Sequence, residues 1–363
     1  MDIKPSVGFT LMAVEPSHSF TVIEPRAPAM TLAQSLVLPN GTVLKNRLGK
    51  SAMSESLGST DNRVTDALPR LYGRWAAGGT GLLVTGNVML DRRHLGEPNN
   101  DALEDDRDLP LQRAWAEAGT RDGTQLWMQL NHPGRQVIRY IDPDPVAPSA
   151  VPFRKDMQAM FATPRALTQA EIEDIIQRFA NAARLAQQAG FTGAQIHGAH
   201  GYLASQFLSP HTNRRSDQWG GELHNRMRFV VETYNAMRAA TGPGFCLSIK
   251  LNSADFQRGG FTEAESMQVA KVLAGLGMDL IEVSGGTYEQ PEMAGGAVRS
   301  STREREAYFL RYATEIRQHT GKTPLMVTGG FRTAAAMREA VASGATDVVG
   351  LARPLVTEPD LSA

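Results

Sequence analysis

Cysteine is nearly absent: Cys246 is the one thiol in 363 residues. One thiol cannot build a disulfide framework, a thiolate zinc cage or a four-cysteine iron–sulfur site. Long apolar runs are also missing, and none approaches the ~20 residues of a membrane-spanning helix. The N-terminus lacks the compact basic, apolar and small-residue pattern of a signal peptide. Neither sign of charge dominates, since 37 Lys+Arg against 38 Asp+Glu leaves a net charge of −1. That balance argues against a nucleic-acid groove or a polybasic membrane surface. Internal repeats and low-complexity tracts are not legible. With 42% hydrophobic and 21% charged residues, the chain can build a large core and is not globally disordered. A soluble, cytoplasmic α/β protein is expected.

What is present is a regular alternation. It is preceded by residues 1 to about 33, where Pro5, Pro16, Pro25 and Pro28 interrupt every short apolar run and no period is sustained. A flexible arm is expected there, or else a biological start at Met30. Two short runs, 36–38 and 42–44, joined by Pro39-Asn40-Gly41, predict a hairpin. Eight strand-like runs follow, at 48–53, 81–86, 125–131, 193–197, 245–251, 279–284, 324–329 and 347–351. Amphipathic stretches lie between them, at 168–189, 225–240, 263–276, 305–319 and 334–343. Strands buried on both faces read as continuous apolar runs. Eight of them with crossover helices predict a (β/α)8 TIM barrel rather than an open sheet. The expected organisation is an arm over 1–33 and one barrel over 34–363. Only residues 354–363 follow Arg353, and Pro354 and Pro359 oppose a long helix, so the eighth helix is expected to be incomplete. Two long connections, Pro-rich at 142–153 and Gly-rich at 285–302, fall on the loops where barrel active sites form.

The strongest chemical signal is His197-Gly198-Ala199-His200-Gly201-Tyr202, directly after the fourth strand run. A strand end places side chains at the barrel mouth, and the glycines permit a sharp turn. Two imidazoles can then hold a developing oxyanion and a phenol can give a proton. A metal site or a structural histidine pair remains the plain alternative, although no third ligand is evident nearby. A second signal is Val327-Thr328-Gly329-Gly330-Phe331 with Val349-Gly350-Leu351-Ala352-Arg353, ending strands seven and eight. Barrels bind phosphate at that place through backbone N–H groups, and Arg353 would add charge. Two ordinary tight turns would read the same way. Gln129, Lys250 and Ser54 each have a structural reading, but together they supply the donors that the polar edge of an isoalloxazine ring requires.

At this point the sequence resembles the Old Yellow Enzyme family of FMN-dependent ene-reductases. The resemblance runs from about Leu36 to Pro359. It is most specific in HGAHGYLASQFLSPHTNRRSDQWGG, which begins at His197, and in Asn225-Arg226. LPNGTVLKNR from Leu38, Gln129-Leu130-Asn131-His132-Pro133-Gly134-Arg135 and KLNSADF from Lys250 add to it. The resemblance implies that Ala52, Met53, Ser54 and Gly86 line the flavin and that Gln129 bonds its pyrimidine edge. It implies Lys250 where many relatives carry Arg, and Gly329, Gly330, Ala352 and Arg353 around the phosphate. His197 and His200 match the pair that grips the substrate oxygen, and Tyr202 matches the proton donor. Ser54 stands where relatives have Thr or Cys, which removes thiol tuning of the flavin. Asn131 stands where some carry Trp, which implies a roomier substrate pocket. The single cysteine argues against the branches that carry a cysteine cluster after the barrel.

The function implied is ping-pong reduction of an activated alkene, an unsaturated carbonyl or nitro compound, with FMN as cofactor and NADH or NADPH as reductant. No nucleic-acid or membrane partner is expected, and assembly into a homo-oligomer is left open. Two other readings stand beside it: a phosphate-binding barrel lyase or isomerase using Lys250 as a Schiff base, and a non-catalytic FMN-binding paralogue.

Overall fold

The structure, a computed structural model, describes residues 30–284 and 300–363. Most of the expected arm and most of the Gly-rich connection after the sixth strand lie outside the described residues. Eight parallel strands close into a barrel: β1 (Leu48–Lys50), β2 (Leu82–Met89), β3 (Gln125–Asn131), β4 (Gly193–Gly198), β5 (Cys246–Asn252), β6 (Leu280–Ser284), β7 (Leu325–Thr328) and β8 (Val348–Leu351). Neighbours pair in sequence order, and β8 closes on β1 with Val349 opposite Leu48. The first strand is shorter than its apolar run. Ser51 still donates its N–H to Leu351 at 2.7 Å, and then the chain leaves the ladder. The second is longer, with a register shift between Val84 and Asn87.

The helices are α1 (Ala67–Ala77), α2 (Leu109–Gly119), α3 (Gln169–Ala189), α4 (Leu203–Leu208), α5 (Leu223–Arg226), α6 (Arg228–Thr241), α7 (Glu263–Gly275), α8 (Ser300–Thr320), α9 (Ala334–Ala342) and α10 (Arg353–Thr357). Local chemistry sets several of their ends. Thr168 and Glu171 form a capping box at the start of α3, and Gly190, at φ 97°, ends it in the left-handed conformation. Thr262 and Glu265 cap α7 in the same way. The helix that follows the eighth strand, α10, is short, as Pro354 and Pro359 predict. Its Leu355 is buried, and the Leu355 carbonyl accepts from Trp75 Nε1 of α1 at 2.7 Å. The following residues continue onto α1, where Arg74 pairs with Asp360.

Alternation along the strands divides the core in two. On β5, Leu247, Ile249 and Leu251 face the helices, in the same cluster as Phe179, Phe229 and Val269. Cys246 faces inward with Leu82, Val84, Trp127, Leu280, Met326 and Val348. Leu38 and Leu44 of the predicted hairpin join that inner cluster, so the hairpin plugs the lower end of the barrel. Above this apolar plug the inward residues turn polar. This change of character along single strands positions the site.

Candidate active site

The polar layer is centred on Glu282 of β6, which is fully buried. It lies opposite Lys250 of β5 in the ladder, and Lys250 Nζ reaches Glu282 Oε1 at 3.0 Å. Ser51 Oγ donates to the same oxygen at 2.5 Å and Thr328 Oγ1 at 2.7 Å. Gln195 Nε2 donates to Oε2 at 2.9 Å, and Gln129 Nε2 donates in turn to Gln195 Oε1 at 2.8 Å. Burial pushes the Glu282 carboxyl up, but Lys250 and the hydroxyl donors outweigh it and hold it below the usual carboxylate range. Lys250 also donates to Ser51 Oγ at 2.7 Å. The floor of the mouth is thus one connected network drawn from five strands and from Ser51, just past the end of β1. Sequence reasoning found Gln129 and Lys250 but not Glu282 or Gln195. The available signal was an acid inside the apolar run Leu280–Ser284, which has to be partnered when buried.

One step above the floor, His197 lies next to Lys250 in the β4–β5 register. The chain then turns through His200 at φ 60° and Gly201 at φ 83°. His200 is a non-glycine residue in the left-handed region, a strained conformation that recurs at functional sites. Asn252 Oδ1 supports it by accepting the His200 N–H at 3.1 Å. The turn brings three rings together. His197 and His200 are 5.2 Å apart between centroids, and His197 and Tyr202 stand perpendicular at 4.6 Å. Burial, then the neighbouring His200 and Lys250, hold the His197 imidazole well below its ordinary pKa. Burial and then Lys250 bring His200 down to about 3. Both rings are therefore neutral at physiological pH, and each carries one N–H. His200 Nε2 lies 2.7 Å from Ser284 Oγ. His197 Nδ1 is buried with no hydrogen-bond partner among the described residues, and so are both amide atoms of Asn131. Buried polar atoms without partners are costly, and a ligand in the mouth would supply partners for these two side chains.

The remaining predicted residues lie on β2 and on the segments that follow β1, β7 and β8. Gly329 at φ 105° and Gly330 at φ 85° turn together in conformations open to glycine. They line a cleft of about 700 Å³ with Thr328, Gly350, Ala352 and Arg353. Arg353 is exposed and Ala352 half-buried. Ala52, Met53 and Ser54 follow β1 where it leaves the ladder, and Ser54 Oγ donates to Asn87 Oδ1 of β2 at 3.1 Å. The Gly86 N–H is engaged away from the mouth by Tyr72 OH at 3.0 Å and Glu55 Oε2 at 3.1 Å. Glu55 also pairs with Lys50 at 2.8 Å. This second ion pair, between β1 and the segment that follows it, was not read from the sequence.

A barrel with this mouth can be compared with known proteins. The family described as NADH:flavin oxidoreductase / NADH oxidase matches residues 36–363. The chain belongs to this family. The NADH-dependent flavin oxidoreductase iccE of Talaromyces variabilis is 39% identical over 349 residues, covering 90% of this chain and 84% of that protein. Among solved structures, morphinone reductase in complex with tetrahydroNAD superposes with a TM-score of 0.75 at 26% identity, covering 92% of this chain and 89% of that one. A 2-naphthoyl-CoA reductase complex superposes with a TM-score of 0.84 at 28% identity, but the chain spans only 51% of it. This flavin oxidoreductase is an FMN enzyme that draws its electrons from NAD(P)H. Among the described residues, no helix is long and apolar enough to cross a membrane.

Proposed function

We propose that the chain reduces the activated C=C bond of α,β-unsaturated carbonyl or nitro compounds, with FMN seated across the barrel mouth. The residues present fit that cofactor. Gly329, Gly330 and Ala352 form a small-residue backbone turn beside the Arg353 cation, which suits a phosphate. Gln129 and Lys250 hold an amide and an ammonium in the polar floor, the donor types that a pyrimidine edge takes up. Ala52, Met53 and Ser54 would form the facing wall, with Gly86 behind them, its N–H held by Tyr72 and Glu55. FMN, when bound, supplies two-electron hydride chemistry, loaded by NADH or NADPH and discharged on the alkene in ping-pong order.

The protein's own part is to hold oxygen and to move a proton. His197 and His200 present neutral N–H donors to the carbonyl or nitro oxygen, where negative charge develops as hydride reaches the β-carbon. If the Ser284 hydroxyl donates to His200 Nε2, 2.7 Å away, the His200 proton sits on Nδ1 and is available to a ligand. Tyr202, packed edge-on against His197, gives its phenolic proton to the α-carbon. Phenols are protonated at neutral pH, as a general acid must be. Asn131 offers a donor and an acceptor at the pocket wall.

The observation that carries this reading is the convergence of His197, His200 and Tyr202, with the partnerless His197 Nδ1, above the Lys250–Glu282 floor. A Schiff-base role for Lys250 finds less support, because its amine is engaged by both Glu282 and Ser51. A phenol titration of the oxidised holoenzyme tests the reading, since phenolate mimics the enolate oxygen. His197→Ala and His200→Ala should each weaken phenol binding about 100-fold, the scale on which one oxyanion donor acts. Unchanged phenol affinity in both variants would put the substrate oxygen elsewhere.

A further inference from the structure

The residues proposed for the pyrimidine edge do not act as an isolated cation and amide. Both lead to the same carboxylate. Lys250 meets Glu282 at 3.0 Å, and Gln129 reaches it through Gln195. Lys250 and Glu282 are both buried, at 3% and 0% exposure, so solvent screens their charges little. Glu282 receives four donors from Lys250, Ser51, Thr328 and Gln195. A carboxylate held by that many donors stays charged. The floor therefore carries about zero net charge where Lys250 alone would present a full positive one.

We propose that Glu282 is a redox-tuning and positioning residue. It cancels the Lys250 charge beneath the flavin and keeps the FMN potential low, which favours hydride delivery to the alkene over retention of electrons. This inference rests on the placement of Lys250 at the pyrimidine edge given above. The sign follows from electrostatics. A reduced flavin is more negative than an oxidised one, so an uncompensated ammonium stabilises the reduced form and raises the potential. A compensating carboxylate removes that bias.

The test is the midpoint potential of bound FMN, measured by dye-coupled reduction of holoenzyme at pH 7. Glu282→Gln keeps the amide-like shape and the contacts to Ser51 and Thr328 but removes the charge. It should raise the reduced-to-oxidised ratio at a fixed potential at least tenfold, about 30 mV for a two-electron couple. The double variant Glu282→Gln/Lys250→Gln removes both charges and should return near the wild-type potential. A purely packing role for Glu282 would leave the potential of Glu282→Gln within a few mV of wild type, or shift the double variant as far as the single one. Either result overturns the inference. If Glu282→Gln does not fold, Lys250→Gln is read alone: it leaves the carboxylate uncompensated and should lower the potential, and an unchanged or raised value would also overturn the inference. Wild-type protein that takes up no FMN would instead overturn the functional reading itself.

Discussion

At Gly350 one methyl group probes the packing of the mouth. A Cβ there would lie 1.9 Å from Thr328 Oγ1, the hydroxyl that donates to Glu282. Gly350→Ala must displace Thr328, and overpacking of this kind costs roughly 1–3 kcal/mol. The variant should melt lower, and its FMN affinity should fall more than ten-fold in a fluorescence titration. Unchanged melting and FMN affinity would mean that Thr328 can move freely. Residues that bear their chemistry on a recognisable turn were legible in the sequence: the His197–Tyr202 segment and the paired glycines of β7 and β8. Glu282 and Gln195 were not. An apolar run reveals burial, but alternation decides which residues face inward, and the polar layer appears only once eight strands share one interior. Lys50 was hidden for the opposite reason. It faces outward under α1, with its ammonium 4.7 Å from the Tyr72 and Trp75 ring centroids, and α1 itself was not anticipated.

At the scale of elements, the hairpin does more than begin the chain. Leu44 is fully buried and closes the lower barrel with Leu38. Leu44→Ala should cost roughly 2–5 kcal/mol, the range for removing a large core side chain. It should leave the spectrum of bound flavin unchanged, because the polar layer lies above the plug. A denaturant titration with an absorption spectrum checks both, and a shifted flavin spectrum would show that plug and floor are coupled. The barrel strands and five of the ten helices, α3 and α6–α9, were legible, because apolar runs and amphipathic stretches mark them. The ends of β1 and β2 were not. Residues 51–53 read as a continuation of the strand, yet the ladder of β1 stops at Lys50, after a last bond from the Ser51 N–H to Leu351. α1 and α2 escaped notice because Pro69, Gly73 and Pro110 blur their periodicity.

At the scale of the whole molecule, the buried imidazoles make folding sensitive to acid. His132 and His200 are both brought down to about 3 by burial, and His197 lies well below its ordinary value. Between about pH 6.5 and 3 the unfolded chain binds protons that the folded chain refuses, so stability falls as pH falls. Each such group adds about 1.4 kcal/mol per pH unit to the slope. Asp101 acts in the opposite sense: burial and then Glu55 push it up to about 7, so from about pH 4 to 7 it favours the folded state at lower pH. Asp101→Asn should therefore steepen the loss of stability between pH 6.5 and 5 in urea titrations, and an unaltered slope would place Asp101 outside the balance. The imidazoles also bear on the proposed catalysis, because burial keeps the pair proposed to bind the substrate oxygen neutral at physiological pH, and Tyr202 is then the proposed proton source. Stopped-flow separation of the two half-reactions in Tyr202→Phe tests that assignment most directly. Bleaching of the flavin by NADH or NADPH should proceed at nearly the wild-type rate, while reoxidation by 2-cyclohexenone slows by about 10²–10⁴-fold, the usual contribution of a general acid. Equal slowing of both half-reactions, or reoxidation at the wild-type rate, would contradict the account.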